Sequence, residues 1–386
     1  DLTIGQDWLV EAETDTADRL ESDIFREDDG SKPQSGWRNT ADGAPFGEKD
    51  LSVQSDTAFS YGYSQLSGDE EQLYREILNS LISYQEETEL SVKDPEMVER
   101  VFRYVMADHP EIFYADGYEV TTYRLGTELR RMLESDEVLS RRAQLEAAAA
   151  LWLEGLPDGT DDFEKAKYIY DALILRTEYE QGSADSQTIC SVLLNQRSVC
   201  QGYAKTFQYL CQLAGIPAML VTGDVNGEGH AWNIVFLDGD WYYIDPTWGD
   251  ASYQREEGEE TPALTETVNY DYFCVTTQEI ERTHSMDDNQ LLPVCNAVQD
   301  QYYRHEGLYL QSADKEKIDE IFARAAQKGA PMVCFQCADD TVYQEVYRLL
   351  IEEQGIFAYL PESETTAAYL DSDRERTFYF WFTEVS

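Results

Sequence analysis

The chain is 386 residues long, 42% hydrophobic and 12% aromatic, enough apolar material for two or three domains. Its 29 Lys and Arg against 76 Asp and Glu leave 29 − 76 = −47, a charge that repels polyanions and excludes nucleic acid and anionic membrane surfaces as natural partners. No run approaches the roughly 18 apolar residues that a membrane helix needs, so no membrane insertion is expected. The opening DLTIGQDWLV lacks the basic and apolar regions of a signal peptide, and a start without Met is compatible with a removed export signal or lipid anchor.

Residues 1–60 are polar and acidic, hold no helical or strand period for long, and read as an N-terminal segment or linker. From 69 to 87, Leu73, Ile77 and Leu81 recur at helical spacing beside Tyr74, Leu78 and Ile82. A second helix follows Asp94-Pro95, with Met97, Val98, Val101, Phe102, Val105 and Met106 as its stripe and His109-Pro110 beyond its end. His109 is expected at the surface or as a cap. IFYADGYEVTTY (residues 112–123) suggests two short strands around an Ala-Asp-Gly turn, which closes a small α+β domain over 61–125.

An Ala- and Leu-rich helix is expected from about 127 to 154, then another from Asp161-Asp162 through Ile174, then a short one over Ile189–Leu193. Beyond 295 the pattern runs strand (YYRHEGLYL), helix, strand (PMVCFQC), helix, then strands IFAYL and RTFYFWF. It reads as a βαβαββ-like domain over 295–386, with its helices on one face of a sheet.

The seven cysteines, at 190, 200, 211, 274, 295, 334 and 337, are odd in number and not spaced as a small disulfide framework. Cys334 and Cys337, three apart on one strand, point to opposite faces and read as core thiols rather than a metal or redox pair. With His109, His230, His284 and His305 as the only histidines, no His/Cys zinc spacing appears, and no metal or cofactor is expected.

The chemistry concentrates in residues 198–250, SVCQGYAKTFQYLCQLAGIPAMLVTGDVNGEGHAWNIVFLDGDWYYIDPTWGD. From Cys200, Tyr203, Ala204, Phe207, Leu210, Cys211 and Ala214 recur at threes and fours until Gly215 and Pro217 stop the helix, with Ser198 as its expected N-cap. Cys200 then lies in the first turn, where unpaired N–H groups and the dipole favour a thiolate. The dipole contributes only about 0.3–1 kcal/mol. Ionising a thiol of reference pKa about 8.5 at neutral pH therefore needs an imidazolium beside it.

The hairpin that follows supplies one. If Asp238-Gly239 forms a two-residue type I′ loop, Leu237 pairs with Asp240, Trp232 faces Asp245 and His230 faces Thr247. His230 and Asp245 become diagonal neighbours on one face, within side-chain reach. A carboxylate on one ring nitrogen sets the tautomer and leaves the other nitrogen to take the thiol proton, with Trp232 shielding the bond from water. Either residue alone is ordinary: His230 a satisfied core histidine, Asp245 a turn residue before Pro246. Together, on matched faces and after a helix-start cysteine, Cys200, His230 and Asp245 read as nucleophile, general base and orienting acid.

The same residues resemble the core of the transglutaminase-like superfamily, which shares the papain-like cysteine-protease fold. Its bacterial members run C-x-G-Y-A, G-I-P, G-H-A-W-N and W-Y-x-x-D-x-T-W. Here these are Cys200, Gly202, Tyr203 and Ala204; Gly215, Ile216 and Pro217; Gly229 to Asn233; and Trp241, Tyr242, Asp245, Thr247 and Trp248. The resemblance covers roughly residues 160–285 and implies an α+β, papain-like core over 126–294, in which a Cys-bearing helix packs on an antiparallel sheet bearing His and Asp. It implies that Cys200 attacks a carboxamide or peptide carbonyl of a protein or peptide and that an amine or water resolves the thioester. Of the two oxyanion donors, the N–H of Cys200 is one, and Tyr179 and Gln201 are candidates for the other. A calcium requirement does not carry over, because no segment matches a calcium loop and Glu256–Glu260 reads as solvated. The resemblance places the protein outside the cell or on a bacterial surface, with a cytosolic peptide-processing enzyme as a variant. The competing function is a cell-surface binding or scaffold module that keeps the fold without catalysis.

Overall fold

Amphipathic spacing and local capping decide where the first helices form. After a short α1 (Tyr61–Ser64), α2 (Asp69–Ile82) buries Leu73, Tyr74, Ile77, Leu78 and Leu81. A two-residue β1 (Glu87–Thr88) precedes α3 (Pro95–Asp108), where the Asp94 side chain accepts the Glu96 N–H and Pro95 occupies the first turn. His109 is the C-cap of α3 but is only 4% exposed and bonds Glu111 through Nδ1 at 2.9 Å, so it is a buried cap and not a surface residue. The structure is a computed structural model that describes residues 60–84, 87–121, 126–131, 135–156, 159–250, 268–287, 290–330, 332–360 and 368–381. The acidic segment up to residue 59 and the Glu256–Glu260 loop lie outside them.

Two expectations fail in the next stretch. Ala115-Asp116-Gly117 is not a turn between strands but a bulge inside one strand, β2 (Ala115–Thr121). Its partner is β3 (Gly126–Arg131), the beginning of the expected long helix, and the helix itself, α4, spans only Ser135–Leu153. Glu128, Leu129, Arg130 and Arg131 are good helix formers, yet pairing with β1 on one side and β2 on the other outweighs that weak preference.

The middle of the chain builds a second sheet with helices against it. In order come α5 (Asp162–Arg176), β4 (Glu178–Tyr179), α6 (Ile189–Asn195), β5 (Arg197–Ser198), α7 (Cys200–Leu213), β6 (Ala218–Val225), β7 (Glu228–Leu237), β8 (Asp240–Ile244), β9 (Phe273–Val275), α8 (Thr277–Ile280) and β10 (His284–Met286). The five longer-range strands form an antiparallel sheet in the order β10-β6-β7-β8-β9. Two tight hairpins set its register. Asn226-Gly227 and Asp238-Gly239 have φ of 57°, 89°, 48° and 101°, the left-handed values a type I′ turn needs. The predicted β7–β8 pairing is observed from Asn233↔Ile244 to Leu237↔Asp240. Helix α7 lies on β6 and β7, where the buried Asn233 Nδ2 donates to the Ala204 carbonyl at 3.0 Å.

After α9 (Tyr302–His305) come β11 (Tyr309–Leu310), α10 (Lys315–Lys328), β12 (Met332–Cys337), α11 (Asp340–Tyr347) with a π-helical turn over Arg348–Glu352, a 3₁₀ turn over Gly355–Ala358, β13 (Ala368–Ser372) and β14 (Thr377–Trp381). They form a βαβαββ unit whose sheet order is β11-β12-β14-β13. Val333, Phe335, Cys337, Phe378 and Phe380 face a core shared with α10 and α11. Cys334, Tyr379 and Trp381 face the main core, so the two cysteines are indeed split between faces.

Two strand expectations are corrected here. Residues 302–305 form a helical turn, because Tyr302 stacks on Tyr270 at 3.7 Å and Tyr303 donates to Asp271 at 2.6 Å. IFAYL contains a 3₁₀ turn (Gly355–Ala358), with Ile356 buried and Tyr359 stacked on Phe322 at 4.2 Å.

Candidate active site

Helix α7 begins on Cys200 itself, with Val199 as its N-cap and no side chain capping the first turn. Ser198, the expected cap, is instead buried on β5, within bonding distance of the Ser191 hydroxyl (2.7 Å) and the Ser186 carbonyl (3.1 Å). No side chain therefore caps the N–H groups of Cys200 and Gln201, while that of Gly202 donates to the Val199 carbonyl at 3.0 Å. Gly202 explains how the helix start comes so close to these serines: a Cβ there would lie 1.9 Å from Ser198 Oγ and 2.7 Å from Ser191 Oγ. Cys200 is half-buried, whereas the other six cysteines are buried, and all seven are free thiols.

His230 follows the β6–β7 hairpin and is 8% exposed; Asp245, just past β8, is fully buried. His230 Nε2 lies 2.8 Å from Asp245 Oδ2, and the Cys200 thiol interacts with the same imidazole. The carboxylate takes four donors. The backbone N–H groups of Thr247 and Trp248 donate to Oδ1 at 2.9 and 3.2 Å, and His230 and His284 meet at Oδ2, the latter at 3.0 Å. Burial alone would push the Asp245 carboxyl up, but His230, with help from His284, holds it below the usual carboxylate range. Burial likewise works against a charged His230; Asp245 and then Cys200 outweigh it and raise the ring to about 10. A cysteine, an imidazole that favours its charged form and an ionised acid thus stand in sequence.

Trp232 is fully buried and stacks on His230 with ring centroids 5.8 Å apart, covering the ring from behind. It is not paired with Asp245, however. The β7–β8 ladder stops at Ile244, and the Asp245 N–H donates instead to the Tyr272 carbonyl at 3.0 Å. Trp248 supplies the outer cover, with its ring 6.5 Å from His230 and half-buried. Gln201 is half-buried in the first turn beside Cys200, and Tyr179 lies on β4 with its ring 6.2 Å from that of Tyr203. Tyr179 pairs with Ser198, two residues before Cys200, and neither residue joins the Cys200, His230 and Asp245 group.

His284 is the residue that sequence reasoning overlooks. It is buried on the edge strand β10, whose register against β6 pairs Met286 with Gly223, itself opposite His230. At Gly223 any Cβ would strike the Ser285 carbonyl at 2.0 Å and the Trp232 ring at 2.7 Å, so only glycine lets the three strands close up there. The one available signal was the lone His in ERTHSMD, too little to assign a partner. The donor atoms of His230, Asp245 and His284 lie within 4.8 Å of one another, a spacing a metal site can share. Here the same atoms are engaged with each other as hydrogen-bond partners at 2.8 and 3.0 Å.

Known proteins share part of this chain. Residues 153–246 match the Transglutaminase-like superfamily, a span that contains Cys200, His230 and Asp245 but not His284. Two curated proteins, Kyphoscoliosis peptidase of Homo sapiens and of Mus musculus, are 33% and 32% identical over 111 residues. The similarity covers 24% of this chain and 17% of each of those proteins. Among solved structures, a candidate cysteine protease from Cytophaga hutchinsonii is 25% identical over 30% of this chain and 43% of its own, with a TM-score of 0.24. A structure described as a TGase is 13% identical over 45% of this chain and 54% of its own, with a TM-score of 0.27. Residues 153–246 are thus similar to the transglutaminase-like superfamily, and the stretch from the half-buried cysteine to the buried aspartate falls inside that match.

Proposed function

We propose that this protein is a cysteine-dependent enzyme that transfers or hydrolyses the acyl group of an amide in a protein or peptide. The observation that carries the reading is the 2.8 Å bond from His230 Nε2 to Asp245, with Cys200 acting on the same ring and the ring raised toward the charged form. His230 takes the thiol proton, and the Cys200 thiolate attacks the carbonyl carbon. The Cys200 N–H, which no side chain caps at the start of α7, receives the resulting oxyanion. On collapse the C–N bond breaks, the imidazolium gives its proton to the departing amine or ammonia, and a thioester remains on Cys200. An incoming amine or water then loses a proton to His230, attacks the thioester and releases a new amide or an acid, regenerating the thiolate pair. Asp245 keeps the imidazole in the tautomer and orientation that both proton transfers require.

The name of the Kyphoscoliosis peptidases favours peptide-bond hydrolysis, and the superfamily favours amide transfer; both proceed through one thioester and differ in what reaches it. The test is to incubate the protein with a glutamine-containing protein and a labelled primary amine, with Cys200→Ala as control, and read the products by mass spectrometry. Amine incorporation, deamidation or cleavage that disappears in Cys200→Ala supports the reading. No covalent change across a panel of proteins would leave the fold as a binding module instead.

A further inference from the structure

A single oxygen, Asp245 Oδ2, accepts from two imidazoles, and only one of them reaches the thiol. We propose that His284 is a positioning residue of the same centre, which limits how firmly Asp245 holds the proton on His230. The inference rests on the acyl-transfer reading, since it concerns the base of that reaction.

The geometry supports it in three ways. Asp245 Oδ1 is already anchored by the Thr247 and Trp248 N–H groups, so His284 is not needed to stop the carboxylate from turning. What His284 adds is a second donor on the oxygen that His230 uses. A carboxylate oxygen shared by two donors gives each a weaker bond, and every hydrogen bond donated to the anion lowers its hold on the next proton.

Second, the His284 ring is fixed. Its side chain is fully buried, Nε2 points at Asp245, and Nδ1 lies 2.7 Å from the Thr283 hydroxyl. Nε2–H donates to the carboxylate, and Nδ1 meets a hydroxyl that can give or take a hydrogen bond and also lies 3.3 Å from the Ile280 carbonyl, so both nitrogens are satisfied. Third, the surroundings are largely closed. Trp232, Trp248 and Tyr272 stand 4.8, 5.1 and 5.6 Å from the ring, and His230 is 5.5 Å away.

The titratable groups facing His284 are therefore few. His230 comes from β7, Asp245 from the end of β8, and Tyr272 from the approach to β9, its hydroxyl donating to Glu375 at 2.7 Å. Cys200 stands beyond His230.

This matters because His230 must give its proton to the leaving amine. An acid held too tightly gives it up slowly, so a competitor for Oδ2 tunes the base toward working pH.

The experiment is titration of His230 by NMR in ¹⁵N-histidine-labelled protein, where four histidines keep assignment by substitution simple. Alkylation of Cys200 by iodoacetamide at pH 6 is measured in parallel. In His284→Phe the His230 midpoint should rise by roughly half a unit to one unit, because Oδ2 then serves one donor. His284→Gln, whose amide can donate to Oδ2 and accept from Thr283, should return it to within about 0.3 units of the wild type. If His284→Phe does not fold, Thr283→Val should move the midpoint the same way by less, since it removes the bond on Nδ1 that strengthens Nε2–H as a donor. A His230 midpoint unchanged or lowered in the folded variants, with wild-type Cys200 selectively reactive, overturns the inference alone. Loss of that selectivity in the wild type overturns the acyl-transfer reading and the inference with it.

Discussion

Two buried carboxylates, Asp245 and Asp271, are held in opposite ways. Asp245 receives two backbone amides and two imidazoles, and stays ionised against its burial. Asp271 receives only hydroxyls, from Tyr303 at 2.6 Å, Tyr379 at 2.8 Å and Thr377 at 3.0 Å. Burial first, and then the nearby Glu375, push it up to about 7 despite those bonds. A fully desolvated anion thus needs a partner that can carry positive charge; neutral hydroxyls make a satisfied joint but not a stable charge.

The difference matches what each residue touches. Asp245 orients an imidazole beside a thiol. Asp271 fastens β14, through Thr377 and Tyr379, to the segment that enters β9. The two sites are one residue apart in effect, because the next residue, Tyr272, supplies the carbonyl that receives the Asp245 N–H. The C-terminal sheet thereby braces the third member of the candidate site.

The contrast is broken most directly by converting both acids to amides. Asp245→Asn should lower the alkylation rate of Cys200 by about 10²-fold or more, because the neutral amide no longer favours a charged His230. Asp271→Asn should leave that rate within about threefold, since it retains a carbonyl for the tyrosines and an NH₂ for the Thr377 oxygen. Equal losses in both would mean that Asp271 acts on the site electrically and not only as a joint.

A smaller effect sharpens the same comparison through pH. The folded-state pKa of Asp271, about 7, stands above the unfolded value of about 3.9, so the folded chain binds this proton more tightly. Its contribution therefore favours the fold at low pH and is lost as pH rises from about 4 through 7. Each unit of such a shift corresponds to about 1.4 kcal/mol. The melting temperature of the wild type should fall between pH 5.5 and 8, and Asp271→Asn should flatten much of that fall. A residual slope should persist from Asp108, which burial also raises, to about 6, and from His230, which Asp245 raises to about 10. An identical slope in wild type and variant would remove Asp271 as its source.

Legibility in the sequence follows the range of the interactions. The Cys200 helix and the His230–Asp245 hairpin can be read because their determinants are local: an apolar stripe, two turn dipeptides and strand parity. The register from Asn233 to Leu237 needs nothing more than the length of the Asp238-Gly239 loop. The capping residue is misread because Ser198 is drawn to Ser191 in α6 and to Ser186 before it, partners that no local pattern reveals. His284 is invisible for the same reason at longer range, since its partner Asp245 is 39 residues away and comes near only when β10 adds to the edge of the sheet. Strand β3 and the 3₁₀ turn at Gly355 show tertiary pairing and aromatic stacking overriding local preference.

The central claim is tested most directly by the rate at which iodoacetamide alkylates each cysteine of the wild type between pH 5 and 9, resolved by mass spectrometry. Cys200 should react readily near pH 6, where a thiol of reference pKa about 8.5 is under about 1% ionised. Cys211 and Cys274, fully buried with their thiols pushed up, should remain unmodified. A Cys200 rate that climbs only above pH 8, as for any free thiol, would mean that no imidazolium activates it.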